Sequence, residues 1–343
     1  MKPTTLGLAY NALKPFIFGL NVDAEFMHTK AYEQIRRVSD YEPLKFGSLG
    51  VDLFGHHFNS PLMLAAGFDK YGFILDKVEY FGFAGEVLGS ITALGGDGNK
   101  EPRLFRLVEE MGALNRMGLN NDGSEITAER LDKLDYKGIF AVSIAKTHNP
   151  GIIGDKAIDD YVKSYRLLKQ FGLYTEINVS CPNTKEGKTF ENPRDLELLL
   201  NALISEGKGK PMLVKLSPNL GYETLRDLVA VSDNKVDGYV ATNTMPYEHP
   251  IYGKGGFSGL PLQKDSIDTI RRLKGLTKKP IIGVGGIFTG KDAFKALEAG
   301  AVLLQGLTGF IYRGPLYTIK VTQELDKELK DKGLKHISRI VKD

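Results

Sequence analysis

Pro280-Ile281-Ile282-Gly283-Val284-Gly285-Gly286-Ile287 runs an apolar strand straight into a glycine pair, ahead of a helical pattern over 289–298. Glycines at such a turn let backbone amides approach a phosphate at the helix N-terminus. Tight strand-to-helix turns need glycine for their own geometry, so the run alone is a weak sign of a ligand. Its place in the chain says more. An open doubly wound sheet carries its glycine-rich fingerprint after the first strand. Here the run comes late, and Gln305-Gly306-Leu307-Thr308-Gly309 follows the next strand in the same manner. Paired phosphate turns after strands seven and eight are a recurrent feature of closed (β/α)8 barrels.

Working backward from that turn, strand and helix signals alternate from Pro61 onward. Strands are predicted at 61–66, 84–89, 139–144, 174–179, 211–216, 237–241, 279–283 and 301–304. Helical patterns fall at 71–80, 157–170, 193–204, 221–232, 263–274 and 289–298. Such alternation means parallel strands with crossover helices. Eight strands over about 250 residues is the size of a TIM barrel, whose active site lies in the loops after the strand C-termini. Val51 to Phe58 reads as a small hairpin. Ahead of it, Leu6, Tyr10, Leu13 and Ile17 recur at helical spacing, and Asp23 can cap a second helix with Met27, Ala31, Ile35 and Val38 on one face and Arg36-Arg37 in its last turn. The expected fold is therefore α/β, a (β/α)8 TIM barrel over 41–343 with an N-terminal amphipathic two-helix extension over 1–40. These helices either pack on the barrel or attach it to a membrane surface.

Composition removes several function classes. The 343 residues carry 45 basic and 42 acidic side chains, a net charge of +3, so no basic field points to nucleic acid. One cysteine permits no internal disulfide, and six scattered histidines show no metal-ligand spacing, so no bound metal is expected. No apolar run reaches the roughly 18 residues that span a bilayer. No cleavable signal opens the chain, and the mature protein is expected to start near Met1.

The strand ends carry the chemistry. Glu176-Ile177-Asn178-Val179-Ser180-Cys181-Pro182-Asn183-Thr184 stops an apolar strand at a polar turn that holds the only cysteine, set between two amides. The plain alternative is an ordinary turn with a small buried thiol. Ala65-Ala66-Gly67-Phe68-Asp69-Lys70 follows the first strand, and Ala241-Thr242-Asn243-Thr244 the sixth. Lys215 sits inside the apolar fifth strand, where it needs an anionic partner. Asn115, Asn178, Asn183 and Asn243 recur at successive strand-end loops. Convergent amides suit a planar, amide-rich heterocycle, and the late turns suit a phosphorylated ligand.

Together these segments, with Pro102-Arg103-Leu104-Phe105-Arg106-Leu107, Asn115-Arg116-Met117-Gly118 and Gly255-Gly256-Phe257-Ser258-Gly259-Leu260-Pro261-Leu262, resemble the dihydroorotate dehydrogenase family over essentially the whole chain. The likeness is to its class 2, quinone-linked, membrane-associated branch. The resemblance implies FMN held by Ala66, Gly67, Lys70, Ser90, Ser143, Asn178, Lys215, Thr242, Gly259, Gly286, Leu307 and Thr308. It implies dihydroorotate held by Lys70, Asn115, Arg116, Met117, Gly118, Leu119, Asn178, Asn183, Asn243 and Thr244. It places the base at Cys181 and a quinone path near His28 and Arg103. The implied reaction is oxidation of dihydroorotate to orotate in pyrimidine synthesis, with electrons passing to a membrane quinone. A peripheral monomer on the cytoplasmic face of the cell membrane is expected. The chain departs from that branch at Cys181, where class 2 enzymes usually carry serine and soluble class 1 enzymes cysteine. It also departs at Ser143 for asparagine, Ser90 for threonine and Leu307 for tyrosine. A soluble acceptor, fumarate or NAD-linked, and a flavin barrel acting on another uracil-like ring are the alternative expectations.

Overall fold

The computed structural model describes residues 2–20, 22–39, 42, 45–180, 190–207 and 209–340. Eight strands close a parallel barrel: Leu62–Leu64, Glu86–Ile91, Phe140–Ile144, Thr175–Asn178, Met212–Leu216, Gly238–Ala241, Ile281–Val284 and Leu303–Gly306. Each lies within two residues of its predicted span, and they follow chain order around the barrel, the last pairing with the first through Leu304 and Leu62. Alternate residues split between two apolar clusters, as period-two side chains require. Met63, Val87, Ala141, Leu213, Val240, Ile282 and Leu303 pack inside the barrel with Tyr174, while Leu64, Leu88, Val142, Val214 and Leu304 pack outward. The hairpin formed by Val51–Leu53 and His56–Phe58 adds Phe58 to the inner cluster and sets Phe54 6.2 Å from the Tyr174 ring.

The crossover helices Asp155–Leu168, Pro193–Ser205, Tyr222–Ser232, Gln263–Leu276 and Gly290–Glu298 agree with expectation. The helix predicted over 71–80 does not form. The Asp69 carboxylate accepts the backbone N–H groups of Tyr71, Gly72 and Ile74, winding this segment into turns, and only Val78–Phe81 makes a 3-10 helix. A side chain that binds successive amides competes directly with helical hydrogen bonds.

A four-stranded antiparallel sheet is added beside the barrel mouth, in the order Met245–His249, Gly253–Gly259, Gly112–Asn115, Leu104–Leu107. It joins excursions from the second and sixth strand ends. Gly259, at φ +100°, approaches so closely that an added Cβ would stand 2.4 Å from Met111 O.

Helix α1 (Pro3–Gly19) and helix α2 (Ala24–Ile35) lie against the rim of the mouth. Asp23 caps α2 by accepting Phe26 N–H at 2.7 Å. Arg36 falls just past the helix end and stacks 5.3 Å from the Phe73 ring. Tyr10 of α1 donates to Ile311 O, and Phe18 meets Tyr312 edge-on at 5.2 Å. Leu8, Leu13 and Phe16 on α1, Leu20 just past its end and Phe26 on α2 stay largely exposed. Among the described residues no helix is long and apolar enough to cross a membrane.

Candidate active site

The strand ends enclose one cavity at the C-terminal mouth. Ala66, Gly67, Lys70, Ser90, Asn178, Lys215, Thr242, Gly259, Gly286, Leu307 and Thr308 line it, as do Asn115, Met117, Leu119, Asn243 and Thr244. Ser143 stands one layer back, its hydroxyl 2.8 Å from Ser90 Oγ, which also accepts from Asn178 Nδ2 at 2.9 Å. Arg116 turns away, donating to Tyr252 O at 2.7 Å and Pro102 O at 3.0 Å, and Gly118 packs against Asn99. Cys181 and Asn183 lie outside the described residues.

Strand register brings the polar groups together. Asn178 on the fourth strand pairs with Lys215 on the fifth. Both side chains point inward, as alternation requires of residues opposite each other. Asn243 Nδ2 donates to Asn178 Oδ1 at 3.0 Å and to Ser180 Oγ at 3.1 Å. The anion that Lys215 needs is Glu176, completely buried, with Oε1 3.0 Å from the ammonium. Gln305 donates to the other Glu176 oxygen at 3.2 Å and to the Tyr174 hydroxyl at 3.1 Å. Burial of a charge in the barrel axis is tolerable only with such a partner. Among the described residues Glu176 is the one acceptor of the Lys215 ammonium, so two of its N–H groups remain for a ligand.

Lys70 is pulled down to about 8, chiefly by burial, with Glu25 opposing and Arg103 adding to the effect. His28 is held down at about 4 by burial and by nearby Lys70, so its ring is neutral. Its Nε2 lies 3.0 Å from Phe68 O, and a carbonyl only accepts, so Nε2 carries the proton. Below this loop Glu86 is fully buried, and burial together with Asp69 holds its carboxyl well above the usual range. In that protonated form it can donate to Asp69.

A second cavity, almost wholly apolar, lies between α1, α2 and the rim, walled by Leu6, Leu13, Ile17, Met27, Ile35 and Phe310 among others. His28, Phe68, Leu104, Ala113 and Ile311 line both cavities and form the partition between them. Arg103 borders neither. Its guanidinium binds Glu25, with Nη2 2.7 Å and Nε 3.1 Å from Oε1, and the carbonyls of Asp97 and Asn99. Arg106 is the arginine on the apolar cavity, donating to Val22 O and lying 5.3 Å from the Phe18 ring. The two differ by three residues along a short extended segment, and an odd separation puts side chains on opposite faces. Glu176, Glu25, Tyr32 and Arg106 had no assigned role in the sequence reading. Only Glu176 left a signal there, as the unnamed anion that Lys215 demanded.

The chain matches the dihydroorotate dehydrogenase family over residues 48–329. It is 35% identical over 339 residues to a Haloarcula marismortui protein named dihydroorotate dehydrogenase (quinone), covering 94% of each chain. It is 41% identical over 293 residues to a protein of the same name from Synechococcus sp., covering 78% of this chain and 76% of that one. The crystal structure of DHODH from Eimeria tenella in complex with ferulenol superposes with a TM-score of 0.85 at 29% identity, covering 93% of this chain and 95% of that one. With eight parallel strands closing around a mouth of lysines, amides and glycine turns, and with relatives this similar along nearly its full length, the chain belongs to the dihydroorotate dehydrogenase family.

Proposed function

We propose that this protein oxidises dihydroorotate to orotate, the ring-oxidation step of de novo pyrimidine synthesis, and passes the electrons to a membrane quinone. The observation that carries this reading is the pair of cavities sharing the His28–Phe68 partition: a polar one that suits a charged heterocycle, and an apolar one that suits a lipid-soluble acceptor.

The family is flavin-dependent, and the flavin proposed here is FMN. The mouth fits it. Gly286, at φ +67°, packs so tightly on Gln263 that an added Cβ would stand 2.3 Å from the Gln263 Cβ, and it lines the mouth where Thr308 and Leu307 also face the cavity, a cradle for one phosphate. The unspent N–H groups of Lys215 suit an electron-rich ring edge. Ala66, Gly67, Lys70, Ser90, Asn178, Thr242 and Gly259 would complete the contacts, with Ser143 acting through Ser90. Bound flavin supplies the two-electron acceptor for hydride leaving C6 of the substrate.

The chain's own groups do the rest. Lys70 meets the substrate carboxylate, while Asn115, Asn178, Asn183, Asn243 and Thr244 match the ring's alternating donors and acceptors, and the backbone over Met117–Leu119 closes one side. Cys181 removes the proton from C5. A thiolate is a competent base without the relay that a serine hydroxyl needs. Residues 1–40 form a module for membrane and quinone access. Burial of a few exposed side chains of α1 contributes about 1.5–3 kcal/mol each, enough for peripheral, reversible attachment. We place the protein as a monomer on the cytoplasmic face of the cell membrane, with His28 and Arg106 bordering the quinone and Arg103 bracing α2.

Cys181 also favours a second reading, the same oxidation with a soluble acceptor. Dihydroorotate oxidation measured side by side with a quinone, fumarate and NAD separates them. Turnover is expected with quinone, and fumarate or NAD supporting the faster reaction would transfer the proposal to the soluble acceptor. Purified protein without releasable FMN yet fully active would overturn both.

A further inference from the structure

Glu25, His28 and Tyr32 are spaced i, i+3 and i+7 on α2, which places them on one stripe of the helix. All three reach the loops at the barrel mouth. Glu25 pairs with Arg103 at 2.7 Å, His28 Nε2 donates to Phe68 O at 3.0 Å, and the Tyr32 hydroxyl donates to Asp69 Oδ1 at 2.6 Å. Tyr32 Oη also accepts Phe73 N–H at 3.3 Å. Asp69 is the hub of this loop, since its carboxylate gathers three backbone amides and its own carbonyl accepts Gly89 N–H at 2.8 Å. Lys70 is the next residue, so wherever Asp69 is held the base of the Lys70 side chain is held too. The neighbouring stripe of α2, with Met27, Ala31, Gln34 and Ile35, lines the apolar cavity.

We infer that Tyr32 is a positioning residue for the substrate. Acting through Asp69, it sets where Lys70 stands in the mouth, and it makes α2 a shared wall through which a ligand in the apolar cavity changes the affinity of the mouth for its own. The inference rests on the reading that dihydroorotate and orotate bind against Lys70. Tyr32 touches neither ligand, and its effect is on binding, not on the hydride or proton step. Asp69 is nearly completely buried and its Oδ1 also accepts the Tyr71 and Gly72 N–H groups, so loss of the hydroxyl takes one of three donors from a buried carboxylate oxygen, and the loop that carries Lys70 is expected to shift. A displaced Lys70 gives up part of its charge-assisted hydrogen bonding to the carboxylate, which is a loss of affinity. Linkage makes the coupling reciprocal: whatever the apolar ligand does to orotate affinity, orotate does to the apolar ligand.

The test uses the full chain with its flavin. Orotate affinity is read from the change in the flavin spectrum on titration, with and without a redox-inert alkyl-chain quinone analogue, in the parent and in Tyr32→Phe. The expected result is an orotate Kd and a dihydroorotate KM raised about tenfold in Tyr32→Phe, the scale of one charge-assisted hydrogen bond, with flavin content and the limiting rate of bleaching within a few-fold of the parent. The analogue is expected to shift the orotate Kd several-fold in the parent and less in the variant. Unchanged orotate affinity in a folded Tyr32→Phe protein overturns the inference, as does a loss confined to the limiting rate. Should that variant fail to fold, the parent decides alone, because an orotate Kd indifferent to the analogue means α2 transmits nothing. Failure of the parent to bind orotate at all would instead remove the function proposed above.

Discussion

The mouth cavity is ringed by Lys70, Lys215, three asparagines and the late glycine turns, and much of that hydrogen-bonding capacity faces inward. The cavity beneath α1 and α2 is walled mainly by aliphatic and aromatic side chains, and its few polar groups are partly engaged: Tyr10 on Ile311 O, His28 on Phe68 O and Arg106 on Val22 O, with the buried Arg106 Nε left without a partner among the described residues. The first can orient and neutralise an anionic ring, whereas the second suits a largely apolar ligand with a single acceptor for the Arg106 Nε–H. The partition of His28, Phe68, Leu104, Ala113 and Ile311 therefore separates a polar chamber from a mainly apolar one. Each half-reaction should therefore be breakable on its own.

The largest separation is expected from Cys181→Ala. Loss of a general base lowers the rate of flavin bleaching by dihydroorotate about 10²–10⁴-fold. The oxidative half with quinone should stay within a few-fold, because it needs no proton from C5. Stopped-flow measurement of the two halves decides. A bleaching rate near that of the parent would assign the base to another residue.

Deleting residues 1–38 should act in the opposite sense. Quinone turnover and liposome binding are expected to fall about a hundredfold, since the apolar cavity loses two of its walls and the membrane its docking face. Bleaching by dihydroorotate should survive, with a raised KM because His28 and Tyr32 go with α2. Quinone kinetics that persist unchanged would reduce α1 and α2 to simple packing on the barrel.

Much of this division is legible in the sequence, and the exceptions share a cause. Eight strands, the late glycine turns and the anion demanded by Lys215 are local signals: period-two apolar runs, glycine before a helix, a charge among aliphatics. The antiparallel sheet is not, because Gly253–Gly259 pairs with Gly112–Asn115 across some 140 residues of chain, and glycine-rich segments show no alternation to read. The helix expected over 71–80 yields to Asp69, whose side chain supplies at one point what a helix supplies along its length. The choice between Arg103 and Arg106 turns on which face of the extended segment over 103–107 meets α1, and that face depends on how the whole antiparallel sheet is set against the two helices. Cys181 and Asn183 stand on the sequence motif alone.

The smallest expected effect is a pH dependence that should appear on one side of the partition only. Burial pulls Lys70 down to about 8, so the unliganded site exchanges a cation for a neutral amine near that pH. Dihydroorotate is an anion and binds the cationic form. Its KM should therefore be flat below about pH 8 and rise about tenfold for each unit above, as the protonated fraction falls. Binding itself raises the lysine pKa, because the carboxylate favours the charged form, so the limiting rate of bleaching should not share this break. That rate instead rises with pH until Cys181 ionises. Lys70→Arg should flatten the KM profile at the cost of weaker binding, since a guanidinium keeps its charge but presents a different geometry. Among the described residues the apolar cavity has no group shifted into that range. His28, held at about 4, is neutral throughout the range, and burial raises the Tyr10 hydroxyl to about 12, so it stays protonated. The quinone KM should accordingly be level from pH 6 to 9.5 in the same buffers. A dihydroorotate KM that stays level to pH 9.5 would release Lys70 from the substrate carboxylate, and a quinone KM that breaks near 8 would mean that Lys70 reaches across the partition.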